Sequence, residues 1–251
     1  MTFWEHLDEL RGCLVRIVVA TLVAAVAAFF FKDLLFTVVL APKECDFVTY
    51  RLFERLSGHS ANFSVGLINV DIAQQFITHM KVALWIGLLA VSPYVLYVLF
   101  GFVSPALYKN ERRYAVRAVG GGYVMFMLGV ALNYFIIFPL TFRFLGTYQV
   151  SSEVTNMISL TSYISLLLTM SLIMGVVFEL PVVSWLLAKM GVLKAAPMKK
   201  YRRHAVVTIL IIAAIITPTG DIFTLSIVAL PIYLLYETSI IIVNHSNPNT
   251  P

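Results

Sequence analysis

Charged side chains are scarce in this sequence. Only 12% of the 251 residues are Asp, Glu, Lys or Arg, whereas 60% are apolar and the mean hydropathy is +0.88. A soluble domain of this length would carry roughly twice that charged fraction. The composition therefore excludes an ordinary water-soluble domain and indicates a protein that lies largely within a membrane.

Cysteine is nearly absent as well. Cys13 and Cys45 are the two cysteines of the chain. We expect them at opposite ends of the first predicted span, so they cannot reach the Cα spacing of about 5.5 Å that a disulfide needs. The histidines are scattered, which predicts no metal site; they are His6, His59, His79, His204 and His245.

Catalytic signatures are missing. The sequence contains no HExxH motif, no GxSxG nucleophile elbow and no Walker A loop. Asp221 follows a glycine, as in aspartyl intramembrane proteases, but no second Asp lies within a predicted span. The sequence therefore predicts neither an enzyme nor a cofactor. It also lacks low-complexity segments and the two-half repeat of many secondary transporters.

Six apolar runs are long enough, or nearly so, to cross a hydrocarbon core of roughly 30 Å. The first is not a cleavable signal peptide, since acidic residues precede it and no small-residue cleavage site follows it. The fifth has about 12 apolar residues, or about 18 Å of helix. We predict an all-α membrane protein whose single domain covers residues 1–251, with six spans at about 13–31, 76–102, 118–138, 163–188, 205–216 and 222–243.

The distribution of Lys and Arg predicts the orientation of these spans. Twelve of the 18 basic residues lie near the N-terminus or in the even gaps: Arg11, Arg16, Lys109, Arg112, Arg113, Arg117, Lys189, Lys194, Lys199, Lys200, Arg202 and Arg203. Because basic residues stay on the cytoplasmic side, both termini are predicted to face the cytoplasm. The pI of about 9.2 reflects this topology, and we predict no nucleic-acid binding.

The longest hydrophilic gap follows the first span and covers residues 32–75. Within it, Phe47–Leu56 has the apolar spacing of an amphipathic helix, which we expect to lie on the outer face of the membrane or to cap the bundle. Three spans contain a proline, namely Pro93, Pro181 and Pro231. Each removes a backbone donor and bends its helix, so we predict a curved bundle.

Two carboxylates on the predicted cytoplasmic face lack a cation at the neighbouring helical positions. Glu9 is followed by Gly12 and Cys13 one turn later, and Glu111 has apolar or aromatic residues at its helical neighbours. Solvated surface acids are one interpretation. The other is a binding site for a ligand with two cations.

Glu179 lies inside the fourth span, with no Lys, Arg or His within a helical turn. An ionised carboxylate facing lipid would cost several kcal/mol. We expect Glu179 to face the concave, water-accessible side of the bundle. An ion or proton site in a secondary transporter or channel is the alternative function for it. An intramembrane enzyme would need a partner group that the sequence does not contain.

Four segments of the sequence together resemble the TatC family. They are FWEHLDELR at 3–11, FVSPALYKNERR at 102–113, FELP at 178–181 and ITPTGD at 216–221. TatC is the multispanning receptor subunit of the twin-arginine protein translocase in the prokaryotic cytoplasmic (inner) membrane. The resemblance covers essentially the whole chain.

This resemblance implies binding of twin-arginine signal peptides of folded cargo at the cytoplasmic face. It also implies recruitment of single-span TatA- or TatB-type subunits, transport driven by the proton-motive force, and a homo-oligomer within a receptor complex. The partner helix is expected along the fifth and sixth spans. The residues that match the family's signal-peptide site are Glu9, Arg11, Phe102 and Glu111. Glu179 matches its intramembrane acid, and Pro42 and Asp221 match outer-face positions with a coupling or structural role.

Overall fold

The computed structural model describes residues 3–57, 63, 65–103, 112–151, 156–217 and 220–246, with side chains except at 3, 5, 56–57, 103 and 112–118. The helices are α1 Phe3–Phe29, α2 Lys32–Leu40, α3 Val48–Ser57, α4 Gln74–Val103, α5 Arg112–Leu132, α6 Phe138–Thr147, α7 Leu160–Val177, α8 Leu180–Lys189, α9 Ala195–Lys200, α10 Arg202–Ile216 and α11 Ile222–Ser246. Strands β1 Leu67–Ile68 and β2 Ile158–Ser159 form a short parallel ladder that pairs Leu67 with Ile158. The prediction of an α-helical membrane protein is confirmed.

Five helical stretches in the described ranges are long and apolar enough to cross a membrane: His6–Phe29, Gln74–Phe102, Val119–Thr147, Leu160–Lys189 and Ile222–Ser246. They coincide with the predicted first, second, third, fourth and sixth spans. The predicted fifth span corresponds to α10, whose 15 residues give about 22 Å of helix. Because α10 is shorter than the hydrocarbon core, the count of six spans stays a prediction.

The third span extends further than the sequence suggested. We predicted its end at Phe138, but α5 continues through a π-helical turn, Asn133–Ile137, into α6 and ends at Thr147. Pro139 lies in the first turn of α6. A proline is tolerated at this position after the register change of a π turn, so it does not end the span.

The fourth span is interrupted at Phe178 and Glu179, between α7 and α8. Pro181 lies in the first turn of α8, and the residues before it leave the regular helix. Pro93 and Pro231 lie inside α4 and α11 respectively. The interruption places Glu179 at a bend within the bundle rather than along a continuous helix.

Glycines allow the central helices to approach closely. A Cβ on Gly87 of α4 would lie 2.6 Å from the backbone nitrogen of Ala25 in α1, and one on Gly129 of α5 would lie 2.5 Å from the carbonyl oxygen of Met174 in α7. Small residues serve this purpose in membrane bundles, where van der Waals packing drives helix association. The two main clusters of buried apolar residues both contain side chains of α7, and together they include Val82, Phe138, Tyr163, Leu167, Met170, Met174, Ala213, Val228 and Ile232.

Helices α2 and α3 and the 3-10 turn Ala41–Lys43 between them form a cap over one end of the bundle. The predicted amphipathic helix is confirmed as α3, but only part of its apolar side is buried. Phe47 and Tyr50 are buried, whereas Leu52 and Phe53 are 58% and 47% exposed. Tyr50 turns inwards because its hydroxyl has acceptors there, the backbone carbonyls of Pro139 at 2.8 Å and Pro42 at 3.1 Å.

Candidate functional site

The start of α1 lies against the end of α4. The His6 ring stacks on the Phe102 ring with 4.4 Å between centroids and an interplanar angle of 18°. The predicted site residue Phe102 is therefore half-buried beneath a residue of the HLDELR segment near the start of the sequence. This stack fixes the position of the first turns of α1.

Glu9 lies on the same side of α1 as His6, because residues three apart share a helix face. Its Oε2 atom is shielded from solvent and has no hydrogen-bond partner among the described residues. Cys13, one turn further on, is buried on this side, whereas Arg11 is exposed. The structure thus brings Glu9 and Phe102 to one α1–α4 junction and leaves Arg11 outside it. Glu111 lies outside the described residues.

An unpaired, shielded carboxylate oxygen is unfavourable, since it has lost water without gaining a donor. A cation from outside the chain would remove this penalty. A guanidinium suits it best, because its planar fork donates two parallel hydrogen bonds to a carboxylate. The α1–α4 junction is therefore chemically suited to a cationic ligand.

Glu179 points into the bundle. Both of its carboxylate oxygens are shielded from solvent and unpaired within the described ranges. They lie 2.9 and 3.3 Å from the position that a Cβ on Gly122 of α5 would occupy, and a Phe100 carbon of α4 lies 3.2 Å from that same position. Both oxygens therefore lie against α5 and α4. The expectation that Glu179 faces the concave, water-accessible side of the bundle stays a prediction.

A hydrogen bond between two side chains lies deep in the bundle, at the π-helical turn. The Asn133 side-chain amide donates to the Ser171 hydroxyl of α7 at 2.8 Å, and both residues are fully buried. Asn133 Oδ1 remains without a partner in the described part of the chain. This contact joins the third and fourth spans next to the irregular turn.

Pro42 is buried in the 3-10 turn of the cap. Its carbonyl is one of two acceptors within reach of the Tyr50 hydroxyl. Burial raises the pKa of Tyr50, so its phenol remains a donor at physiological pH. In the same cap Arg51 donates through Nε to Asp46 at 2.6 Å and holds the pKa of that carboxyl below its ordinary value. These contacts give Pro42 a structural position.

Asp221 caps the last helix. Its Oδ1 accepts a hydrogen bond from the backbone N–H of Thr224 at 2.7 Å, immediately before α11 begins at Ile222. Asp is among the preferred residues for this position, because its carboxylate satisfies an otherwise unpaired N–H. Near the other end of α11, Glu237 pairs with Arg202 of α10 at 2.7 Å. The first contact is local to the start of α11, and the second joins α11 to α10.

The comparisons with known proteins agree on one family. The family model described as Sec-independent protein translocase protein (TatC) matches residues 5–231. The chain belongs to the TatC family. The TatC protein of Blattabacterium sp. subsp. Periplaneta americana is 36% identical over 96% of this chain and 94% of its own length. That of Escherichia coli (strain K12) is 31% identical over 94% and 85%.

The TatC fold is found in a solved structure as well. A crystal structure of a twin-arginine translocase receptor, TatC, superposes with a TM-score of 0.77 at 31% identity and covers 96% of this chain and 99% of that one. TatC membership supports a translocase function for the chain over the transporter or channel alternative. Among the described residues no cluster of three His, Cys, Asp or Glu side chains is placed to hold a metal ion.

Sequence reasoning about this TatC protein missed three residues of the site. The sequence spacing could have indicated His6, since it lies three residues before Glu9 and therefore on the same helix face. Gly122 ends a Gly120–Gly122 run, and such a run inside a span favours close helix approach. Asn133 is a polar residue within a span, which is itself a reason to suspect a buried contact.

Proposed function

We propose that this chain is the receptor subunit of a twin-arginine translocase in the prokaryotic cytoplasmic membrane. In this role it binds the twin-arginine signal peptides of folded proteins at its cytoplasmic face. Both termini then face the cytoplasm, and α10 counts as a sixth, short span. Its family membership and the excess of basic residues on the predicted cytoplasmic side support this proposal.

The observation that carries the proposal is the Glu9 Oε2 atom at the α1–α4 junction, which has no partner among the residues that the structure describes. It lies on the same helix face as His6, whose ring covers Phe102. A shielded carboxylate beside an aromatic surface suits a guanidinium, which can pair with the oxygen and stack on a ring. Lysine fits less well, because its ammonium lacks the planar fork.

Two adjacent arginines need two carboxylates, and Glu111 is the second in this proposal. It follows α4 in the sequence by eight residues and belongs to the motif most typical of the family. Arg11 is exposed near the site. Its positive charge repels other cations, and this repulsion is offset only for a cation that pairs with Glu9. The excess of positive charge on this face similarly disfavours cationic peptides away from the two carboxylates.

The experiment is a double-mutant cycle on peptide affinity, with the full chain in lipid nanodiscs and a twin-arginine signal peptide as ligand. Glu9→Gln and Glu111→Gln should each weaken binding by about 1–3 kcal/mol, and the double variant should lose less than the sum. Asp8→Asn is the matched control, since Asp8 is an exposed acid next to Glu9 on α1. Strict additivity, or an equal loss from Asp8→Asn, would contradict a shared site.

Single-span TatA- or TatB-type partners are proposed to lie along α10 and α11. The support is an exposed apolar stripe on α10, where Val207, Ile211 and Ile215 are 57%, 55% and 76% exposed at intervals of four residues. Such a stripe matches the apolar face of another helix. Ile211→Cys should cross-link to a cysteine in the partner's span, whereas Val23→Cys on α1 should not. Cross-linking at both positions alike would contradict this placement.

A further inference from the structure

An apolar groove of about 600 Å³ runs between the last turns of α1 and the first turns of α4. It lies at the capped end of the bundle, on the membrane-facing surface. Lys81 is the charged residue of its lining. Its walls are formed by large apolar side chains, among them Leu22, Val26, Phe30, Phe76, Met80 and Leu84. Their exposure makes the groove open to lipid rather than to the protein core.

Lys81 lies near the mouth of this groove. The Phe29 ring at the end of α1 stacks on the His79 ring of α4 with 4.0 Å between centroids, so His79 marks the level at which α1 ends. Lys81 follows two residues later, about 3 Å further along the axis, and its long side chain can extend back towards the headgroups. It is exposed and pairs with no acid in the described part of the chain.

A basic residue within a span is costly unless it has a partner or reaches the interface. Here the groove matches the acyl chain of a phospholipid, and the Lys81 ammonium matches its phosphate. The groove contacts an acyl chain on several sides, which a flat helix surface cannot do, and its volume falls in the range of about 300–1,000 Å³ typical of ligand sites. The ammonium donates charge-assisted hydrogen bonds to a phosphate.

We propose that the α1–α4 groove binds an acyl chain of an anionic phospholipid whose phosphate contacts Lys81. The unpaired positive charge selects an anionic lipid, since a zwitterionic headgroup brings an ammonium of its own. This site lies at the opposite end of α1 from Glu9, and it does not depend on the proposed signal-peptide binding. Its lipid belongs to the leaflet beside the α2–α3 cap.

Native mass spectrometry of the purified full chain tests this proposal, with phosphatidylglycerol and phosphatidylcholine of identical acyl chains as the added lipids. The wild type should retain one phosphatidylglycerol about fivefold more tightly than phosphatidylcholine. Lys81→Gln should abolish that preference. Val26→Phe, which fills the groove from α1, should lower retention of both lipids.

Two matched controls accompany these variants. Lys43→Gln removes a cation at the same end of the molecule that is already paired with Glu44 at 2.9 Å. Val23→Phe enlarges an exposed residue of α1 that is 67% exposed and lies outside the groove. Both should bind lipid as the wild type does.

Equal retention of the two lipids by the wild type, or an unchanged preference in Lys81→Gln, would overturn the proposal. If Val26→Phe instead dissociates a dimer without changing lipid retention, the groove is a contact between two copies of the chain and the proposal is wrong.

Discussion

The Thr49 hydroxyl of α3 donates a hydrogen bond to the backbone carbonyl of Phe135 in the π-helical turn. In a regular helix that carbonyl would accept from the N–H of residue 139, but residue 139 is a proline and has none. The cap helix therefore satisfies the acceptor that the bend in the third span leaves free. A polar residue of the outer gap thus stabilises an irregularity of the third span.

Replacing this hydroxyl should destabilise the protein. Thr49→Val keeps the shape of the side chain but leaves the Phe135 carbonyl without a donor, so the free energy of unfolding should fall by about 1–2 kcal/mol. Denaturant unfolding of the purified protein in detergent measures this. Thr37→Val is the control, because the Thr37 hydroxyl bonds a carbonyl of its own helix, that of Asp33 at 2.7 Å. Equal losses in the two variants would show that Thr49 has no special role.

Gly122→Ala should displace the Glu179 carboxylate. The added methyl would lie 2.9 Å from Glu179 Oε2 and 3.2 Å from a ring carbon of Phe100, so one of the two must shift. We expect membrane insertion to be retained and transport of a twin-arginine reporter to fall severalfold. Gly121→Ala is the matched control, since a methyl there meets no atom within 4 Å. Normal transport by Gly122→Ala would argue that the carboxylate position is unimportant.

Glu179→Gln tests the charge itself. The amide has nearly the same shape, so folding and signal-peptide binding should stay close to wild type. Transport should fall if the carboxylate must be able to ionise or to accept a partner during the cycle. Peptide affinity and reporter export measured on the same membranes separate the two effects. Full export by the Gln variant would remove Glu179 from the mechanism.

Two substitutions at Asp221 distinguish a structural role from a coupling role. Asn is also a good helix cap, so Asp221→Asn should keep the hydrogen bond to the Thr224 N–H while removing the charge. Asp221→Ala should lower stability by about 1 kcal/mol. If capping is the whole role, only the Ala variant loses thermal stability and transport. Loss of transport in the Asn variant at wild-type stability would instead assign the charge to coupling.

Much of the fold could be predicted from the sequence, and so could part of the site. Hydropathy located five long apolar helices to within a few residues, apart from the start of the first and the end of the third. The third span was predicted to end at Phe138, whereas the π turn before Pro139 accommodates the proline and the helix continues to Thr147. The absence of neighbouring cations marked Glu9 and Glu179 as unusual, but it could not show what covers them.

The sequence by itself determined the helices that cross the membrane and the residues that stand out within them. In lipid each helix must satisfy its backbone polar groups internally, so length and apolarity are properties of a single segment and can be read locally. Only the tertiary structure decided that Gly122 covers the Glu179 oxygens, that His6 stacks on Phe102, and that Thr49 pairs with the Phe135 carbonyl. Each of these contacts joins residues at least 57 positions apart, and Gly122 and Glu179 have that smallest separation. Each contact also depends on how closely two helices, or a helix and the cap, approach one another, and no single segment of the sequence specifies that distance.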